Sequence, residues 1–140
     1  HDIGKIGIDE AILNKPGRLT AEEFESMKAH TTIGADMLRN LPRYQEERIL
    51  QIAIEICRWH HERYDGKGYP DGLVGDEIPI SAQLVSIADV YDALTSERVY
   101  KKAFSHEKAM QMIREGECGA FNPLLLSCLE EIADELQAEM

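Results

Sequence analysis

Apolar residues in this chain recur at three- and four-residue intervals and nowhere alternate with period two for long, which predicts helices rather than a sheet. The first clear helix is expected from Thr20. Thr20 and Glu23 have capping-box spacing, Phe24, Met27, Gly34, Leu38 and Leu41 share a face, and Pro42 ends the run. A second helix is expected from about Gln45 to Glu62, with the stripe Ile49, Ile52, Ala53, Ile56 and Trp59. The stretch from Asp65 to Pro79 holds Gly66, Gly68, Gly72 and Gly75 with Pro70 and Pro79, a density that argues for loop over regular structure. A third helix is expected from about Ser81 to Glu97, with Leu84, Ile87, Ala88, Tyr91 and Leu94 on one side. Ser105 is placed to cap a short helix ending at Arg114. Asn122 and Pro123 form an N-cap and N1 pair opening the last helix, whose stripe is Leu125, Leu129, Ile132, Ala133 and Leu136. The expected fold is an all-α bundle of about five to six helices with one long Gly/Pro loop, forming one domain over residues 1–140.

The histidines interrupt this pattern. His30 lies between Met27 and Gly34 on the apolar face of the first helix, and His60 continues the stripe from Ile52, Ile56 and Trp59. His61 stacks over Cys57 and points partly inward. A single buried histidine is ordinarily a core residue whose ring nitrogens find partners. Three inward histidines on two helices, together with the pair His1-Asp2, suggest metal ligation, because neutral imidazole is the commonest metal ligand. Asp89 sits in the middle of the third helix, where aspartate is poorly suited unless its carboxylate has a task. The plain alternative is a solvated or loop-capping Asp89. Mixed imidazole and carboxylate ligands suit Fe, Mn or Zn better than Ca or Mg. Two such ions would activate water and clamp phosphate oxygens during in-line displacement. Gly66-Lys67-Gly68 is too short and wrongly flanked to be a P-loop.

Charge narrows the substrate. The 140 residues carry 26 acidic and 15 basic side chains, for a formal net charge of −11. That argues against a nucleic-acid polymer as partner but leaves a small phosphate ester open, since bound cations reverse the local sign. No apolar run is long enough to cross a membrane, so no membrane contact is expected. Cys57, Cys118 and Cys128 are odd in number and widely spaced, which fits a reducing, cytoplasmic compartment.

The segments His1-Asp2-Ile3-Gly4-Lys5, His30-x-x-x-Gly34, His60-His61-Glu62-Arg63-Tyr64-Asp65-Gly66-Lys67-Gly68-Tyr69-Pro70 and Ala88-Asp89-Val90-Tyr91-Asp92-Ala93-Leu94-Thr95 resemble, in order and spacing, the HD-GYP branch of the HD phosphohydrolases. The resemblance covers about residues 1–123. It implies a helical fold, two or three divalent ions (Fe or Mn first, Zn or Ni next) and hydrolysis of cyclic di-GMP in bacterial second-messenger signalling, to pGpG and/or GMP. Position by position, His1, Asp2, His30, His60, His61 and Asp89 match the family's metal ligands, with Asp2 the bridging carboxylate. Lys5 matches a lysine beside the substrate phosphate and nucleophile, so Asp2 and Lys5 are the catalytic candidates. Arg98 and Lys101 match residues that hold substrate phosphate. Gly68-Tyr69-Pro70 is similar to a loop proposed to contact GGDEF-type cyclase domains. An oligomer is compatible with the resemblance.

The chain departs from the family pattern at Asp9 and Val99, where proline is common, and at Ala120 and Asn122, which replace His and Asp. Family members also carry helices and further ligands before the HD motif. The chain is therefore read as a domain lacking its N-terminal helices, with the activity of this fragment an open matter. Two rival functions remain: an inactive cyclic-dinucleotide receptor or GGDEF-docking module, and an enzyme of the same chemistry acting on cyclic GMP–AMP.

Overall fold

The computed structural model describes residues 1–41, 47–97 and 101–139, and these form helices and loops with no named strand. A short 3-10 turn, Ile3–Gly7, leads into α1 (Glu10–Leu13), α2 (Ala21–Lys28), α3 (His30–Arg39) and α4 (Arg48–Trp59). The loop that follows contains a second 3-10 turn at Gly75–Glu77. Then come α5 (Ile80–Thr95), α6 (His106–Arg114), α7 (Pro123–Glu131) and α8 (Ala133–Ala138). The all-α expectation holds.

Two expected helices are each split. The run from Thr20 breaks at Ala29 because three successive side chains bond the carbonyls three residues back. His30 Nδ1 reaches Met27 O at 2.7 Å, Thr31 Oγ1 reaches Lys28 O at 2.8 Å, and Thr32 Oγ1 reaches Ala29 O at 3.1 Å. Side chains that take backbone carbonyls compete with the helical ladder. Upstream of the break the face turns outward, and Phe24 is 43% exposed. The last helix breaks at Ile132, which leaves helical dihedrals (φ −100°, ψ 7°) and is exposed rather than buried. Caps at the other ends stand where expected. Thr20 and Glu23 close a reciprocal capping box, the Ser105 side chain accepts from Lys108 N, and the Asn122 side chain accepts from Leu124 N. Asp9, one of the departures from the family pattern, caps α1 by accepting from Ala11 N.

Two apolar cores result. The smaller joins Ala35 of α3 to Leu50, Ile54 and Cys57 of α4. The buried stripe of α4 is thus one residue out of phase with the expected one, and Ile49 lies in solvent. The larger core gathers Ile87 and Leu94 of α5, Ala109, Met110 and Ile113 of α6, and Phe121, Leu125 and Leu129. On α5, Leu84 and Ala88 face outward, because Ala82, Gln83, Ser86 and Ile87 take the inner side. Helix α4 packs against both α3 and α5, so its C-terminal end lies where the two cores meet.

The first 3-10 turn packs on α3 through backbone. A Cβ on Gly4 would stand 1.9 Å from the His30 carbonyl oxygen and 2.5 Å from Gly34 N. Gly34 on the facing side is also tight, its own Cβ position lying 3.2 Å from Gly4 N. The backbone of Gly4 therefore lies directly on the turn that carries His30. Gly4→Ala should cost about 3 kcal/mol or more, because backbone must move to admit the methyl group. Gly17→Ala, with open space around it, should stay within about 0.5 kcal/mol. Urea midpoints compare the two, and equal midpoints would sink this account of the packing.

Candidate metal centre

Five of the six ligand candidates are delivered by the end of an element. His1 and Asp2 precede the first 3-10 turn, His30 opens α3, His60 and His61 follow the last turn of α4, and Asp89 projects from the middle of α5. His30 and His60 are each only 1% exposed. Their orientation follows from carbonyls at helix ends, each of which accepts a ring N–H beside a backbone N–H through its second lone pair. His60 Nδ1 lies 2.8 Å from Ile56 O and 3.1 Å from Cys57 O, and His30 Nδ1 lies 2.7 Å from Met27 O. A carbonyl oxygen only accepts, so both Nδ1 atoms donate, and in the neutral rings this leaves both Nε2 lone pairs for ligation. This is the arrangement by which outer partners fix a ligating imidazole.

Those lone pairs converge. The two Nε2 atoms are 3.3 Å apart, and each lies 3.4 Å from Asp2 Oδ1. Three acceptors aimed at one point repel one another until a cation lies among them, so this donor set fits a metal ion. Ligand atoms of Asp2, His30, His60 and His61 form one group and those of His1, His60 and Asp89 a second, with all atoms in a group within 4.8 Å of one another. The two oxygens of Asp2 face different neighbours. Oδ1 faces His30 and His60, whereas Oδ2 lies 3.2 Å from His1 Nε2 and 3.4 Å from Lys5 Nζ. His1 Nε2 also lies 3.2 Å from Asp89 Oδ1. All six sequence-derived ligand candidates are therefore brought together, with Lys5 at their edge.

Burial shapes the charges. The His61 ring is pushed down to about 2 by burial, reinforced by His60 and His30, so it is neutral and able to ligate throughout the physiological range. Burial also raises Asp89 above the usual carboxylate value, and the nearby Asp2 carboxylate adds to the shift. A bound cation would relieve the shift on Asp89 and hold His61 still more firmly in its neutral form.

The loop that follows the histidines is held from below. Glu62, 2% exposed, accepts backbone N–H groups of Asp71 at 2.6 Å, Gly72 at 3.1 Å and Leu73 at 2.9 Å. Asp71 accepts a two-pronged bond from Arg58 at 2.8 and 2.9 Å and another from Trp59 Nε1 at 2.6 Å. A Cβ on Gly68 would fall 2.4 Å from both Arg63 N and His61 O, so only glycine lets the loop fold onto the end of α4. Tyr69 then stacks on His61 with ring centroids 4.8 Å apart and 16° between planes. Its hydroxyl is pushed up to about 12 by burial, against the opposing pull of Arg63. On the other side Arg63 donates to Cys118 O, Ser86 Oγ and the carbonyls of His60 and Glu62, with its guanidinium over Phe121. Glu62 and Arg63 stand inside the quoted motif, yet sequence reasoning assigned them no task. The available signal was two charged residues directly after a buried histidine pair.

Of the other candidates, Lys101 turns its ammonium to the carbonyls of Leu94, Ser96 and Lys102, closing the end of α5. Arg98 lies outside the described residues. Asn122, a second departure from the family pattern, donates to Gln83 Oε1 at 3.0 Å besides capping α7.

Comparisons with known proteins bear on this geometry. The family model described as "HD domain" matches residues 1–123. A Vibrio cholerae protein named "Cyclic di-GMP phosphodiesterase" is 48% identical over 139 residues, covering 99% of this chain and 28% of that protein. A Thermotoga maritima protein of the same name is 46% identical over 136 residues, covering 97% of this chain and 36% of that protein. A Vibrio cholerae "3'3'-cGAMP-specific phosphodiesterase 2" is 41% identical over 138 residues, covering 99% and 26%. The chain thus spans roughly a quarter to a third of the length of these curated relatives.

Mn²⁺ at a hundred times its dissociation constant should stabilise the chain by about 2.7 kcal/mol. His60→Ala, which removes the residue common to both ligand groups, should abolish the rise in Tm. An equal rise in the variant would remove His60 from the site. Glu62→Gln should cost roughly 1–3 kcal/mol and speed amide exchange at Asp71, Gly72 and Leu73. Unchanged exchange at those amides would mean that the carboxylate does not hold the loop.

Proposed function

The chain belongs to the HD domain family, and we propose that it is a metal-dependent phosphodiesterase of the HD-GYP type, opening cyclic di-GMP to pGpG and then GMP. The observation that carries this reading is the convergence of six ligand candidates in two groups joined at His60. Relatives named as cyclic di-GMP phosphodiesterases align with almost the whole chain.

Asp2, His30, His60 and His61 would hold one ion, and His1, His60 and Asp89, with Asp2 beside them, would hold a second. Iron or manganese suits this set best. Bound there, the ions supply Lewis acidity toward water and phosphate oxygens. The protein's own part is orientation and charge. The helix-end carbonyls keep the imidazoles in the ligating tautomer, and Asp2 is held between histidines and a lysine. Lys5 places an ammonium beside Asp2, where a phosphate oxygen would arrive and a compact cation serves. Arg98 and Lys101 remain candidates for holding substrate phosphate on the resemblance alone.

The alternative substrate is the mixed cyclic GMP–AMP dinucleotide, a reading supported by the relative named for 3'3'-cGAMP. The half-buried Tyr69, packed on His61, favours a role in supporting that ligand over a docking role toward a GGDEF domain. A reducing, cytoplasmic setting is supported by three free cysteines, and no helix among the described residues is long and apolar enough to cross a membrane.

Anaerobic incubation with Mn²⁺ or Fe²⁺ and cyclic di-GMP should yield pGpG or GMP, and chelator should stop it. His30→Ala should lower the rate by about a hundred-fold or more, a loss of roughly 2.7 kcal/mol in transition-state stabilisation. Turnover that persists in chelator would overturn the reading. Competition with cyclic GMP–AMP ranks the two substrates.

A further inference from the structure

Beside the metal ligands lies a cavity of about 610 Å³ that shares His61 with them. Its size falls within the roughly 300–1,000 Å³ usual for small-molecule sites. Phe24, Lys28, Arg63, Asp65, Lys67 and Tyr69 line it, so three cations face one carboxylate in a chain whose acidic residues outnumber its basic ones 26 to 15. The Arg63 guanidinium is committed to Cys118 O, Ser86 Oγ and the carbonyls of His60 and Glu62. The two lysines are the cations left for a ligand.

Their placement is specific. Lys28 is two residues from His30, and its ammonium lies 5.0 Å from the ring centre of Phe24 and 5.3 Å from that of Tyr69. Its ion pair is with Glu25 at 2.9 Å on the helix surface, a contact of about 0–1 kcal/mol that a phosphate would readily replace. Lys67 is set by its own backbone N–H, which donates to Asp65 Oδ1 at 3.0 Å. Aromatic surface stands beside Lys28. Tyr69 and Phe24 meet edge to face at 5.9 Å, and Phe24 is 43% exposed at the rim. Stacking surface next to ammonium groups is the chemistry that holds a base and its phosphate.

We infer that this cavity is a nucleotide subsite that seats one nucleoside-monophosphate half of the substrate, its base on Phe24 and Tyr69 and its phosphate at Lys28 and Lys67. The scissile phosphate lies at the metal ligands beyond His61. The inference rests on the phosphodiesterase reading for its substrate, but binding in the cavity needs no metal.

The test is calorimetric titration of GMP into the full chain in the presence of chelator. Binding should weaken as salt rises. It should weaken about ten-fold in Lys28→Ala/Lys67→Ala and fall similarly in Phe24→Ala, with melting curves confirming that each variant is folded. Lys108→Ala, an exposed lysine on α6, serves as the control. In the metal-loaded enzyme the lysine variant should raise KM for cyclic di-GMP more than it lowers kcat. Unchanged GMP affinity in the variants would overturn the subsite, as would guanosine binding as tightly as GMP. Hydrolysis of bis(p-nitrophenyl) phosphate by the unaltered chain with Mn²⁺ tests the phosphodiesterase reading separately. Failure there leaves the GMP titration to decide the cavity on its own.

Discussion

Two imidazole rings that give their Nδ1 protons to helix-end carbonyls are the constraint on which the rest of this structure hangs. Those bonds set the tautomer, the tautomer turns both Nε2 lone pairs inward, and the lone pairs create a need for positive charge at 3.3 Å separation. Both rings make these bonds at helix ends, to carbonyls that also accept a backbone N–H and use their second lone pair for the ring. The break at Ala29 and the end of α4 at Trp59 are thus features of the site as much as of the fold.

Around this centre the chain uses backbone and buried charge more than apolar packing. Glu62 is a buried carboxylate satisfied by three amide groups of one loop. Burying a carboxylate is tolerable when hydrogen bonds replace its water. Arg63, its neighbour, ties the same corner to α5 and to the turn before α7 through Ser86 and Cys118. The two cores meet across these polar contacts, so the histidine pair sits on a base fixed from both sides.

Much of this was legible in the sequence, for reasons that differ by element. The all-α class and the caps at Thr20, Ser105 and Asn122 follow from periodicity and capping chemistry, and the full set of six converging side chains from the resemblance to the HD-GYP pattern. The split at Ala29 was hidden because hydrophobic spacing runs straight through it. What breaks the helix there is a run of three side-chain-to-carbonyl bonds, which depends on geometry that spacing does not record. The phase of α4 was misjudged because apolar residues cover most of its circumference, leaving Leu50 and Ile49 equal on paper. Glu62 and Arg63 escaped because a charged pair after a helix reads as solvated surface until a loop is seen to close over it. Lys101 presents the reverse case, a cation assigned to substrate by resemblance whose ammonium lies on the end of α5.

The contact between Gly4 and the first turn of α3 has a wider implication. There the spacing between the HD pair and His30 is set by main chain touching main chain, with no side chain in between to be lengthened or shortened. Ligand bite in such a centre cannot drift through ordinary core substitutions. A lineage built on this contact would adjust its choice of ion through the residues surrounding the ligands, while the distances among the ligands themselves stayed constant.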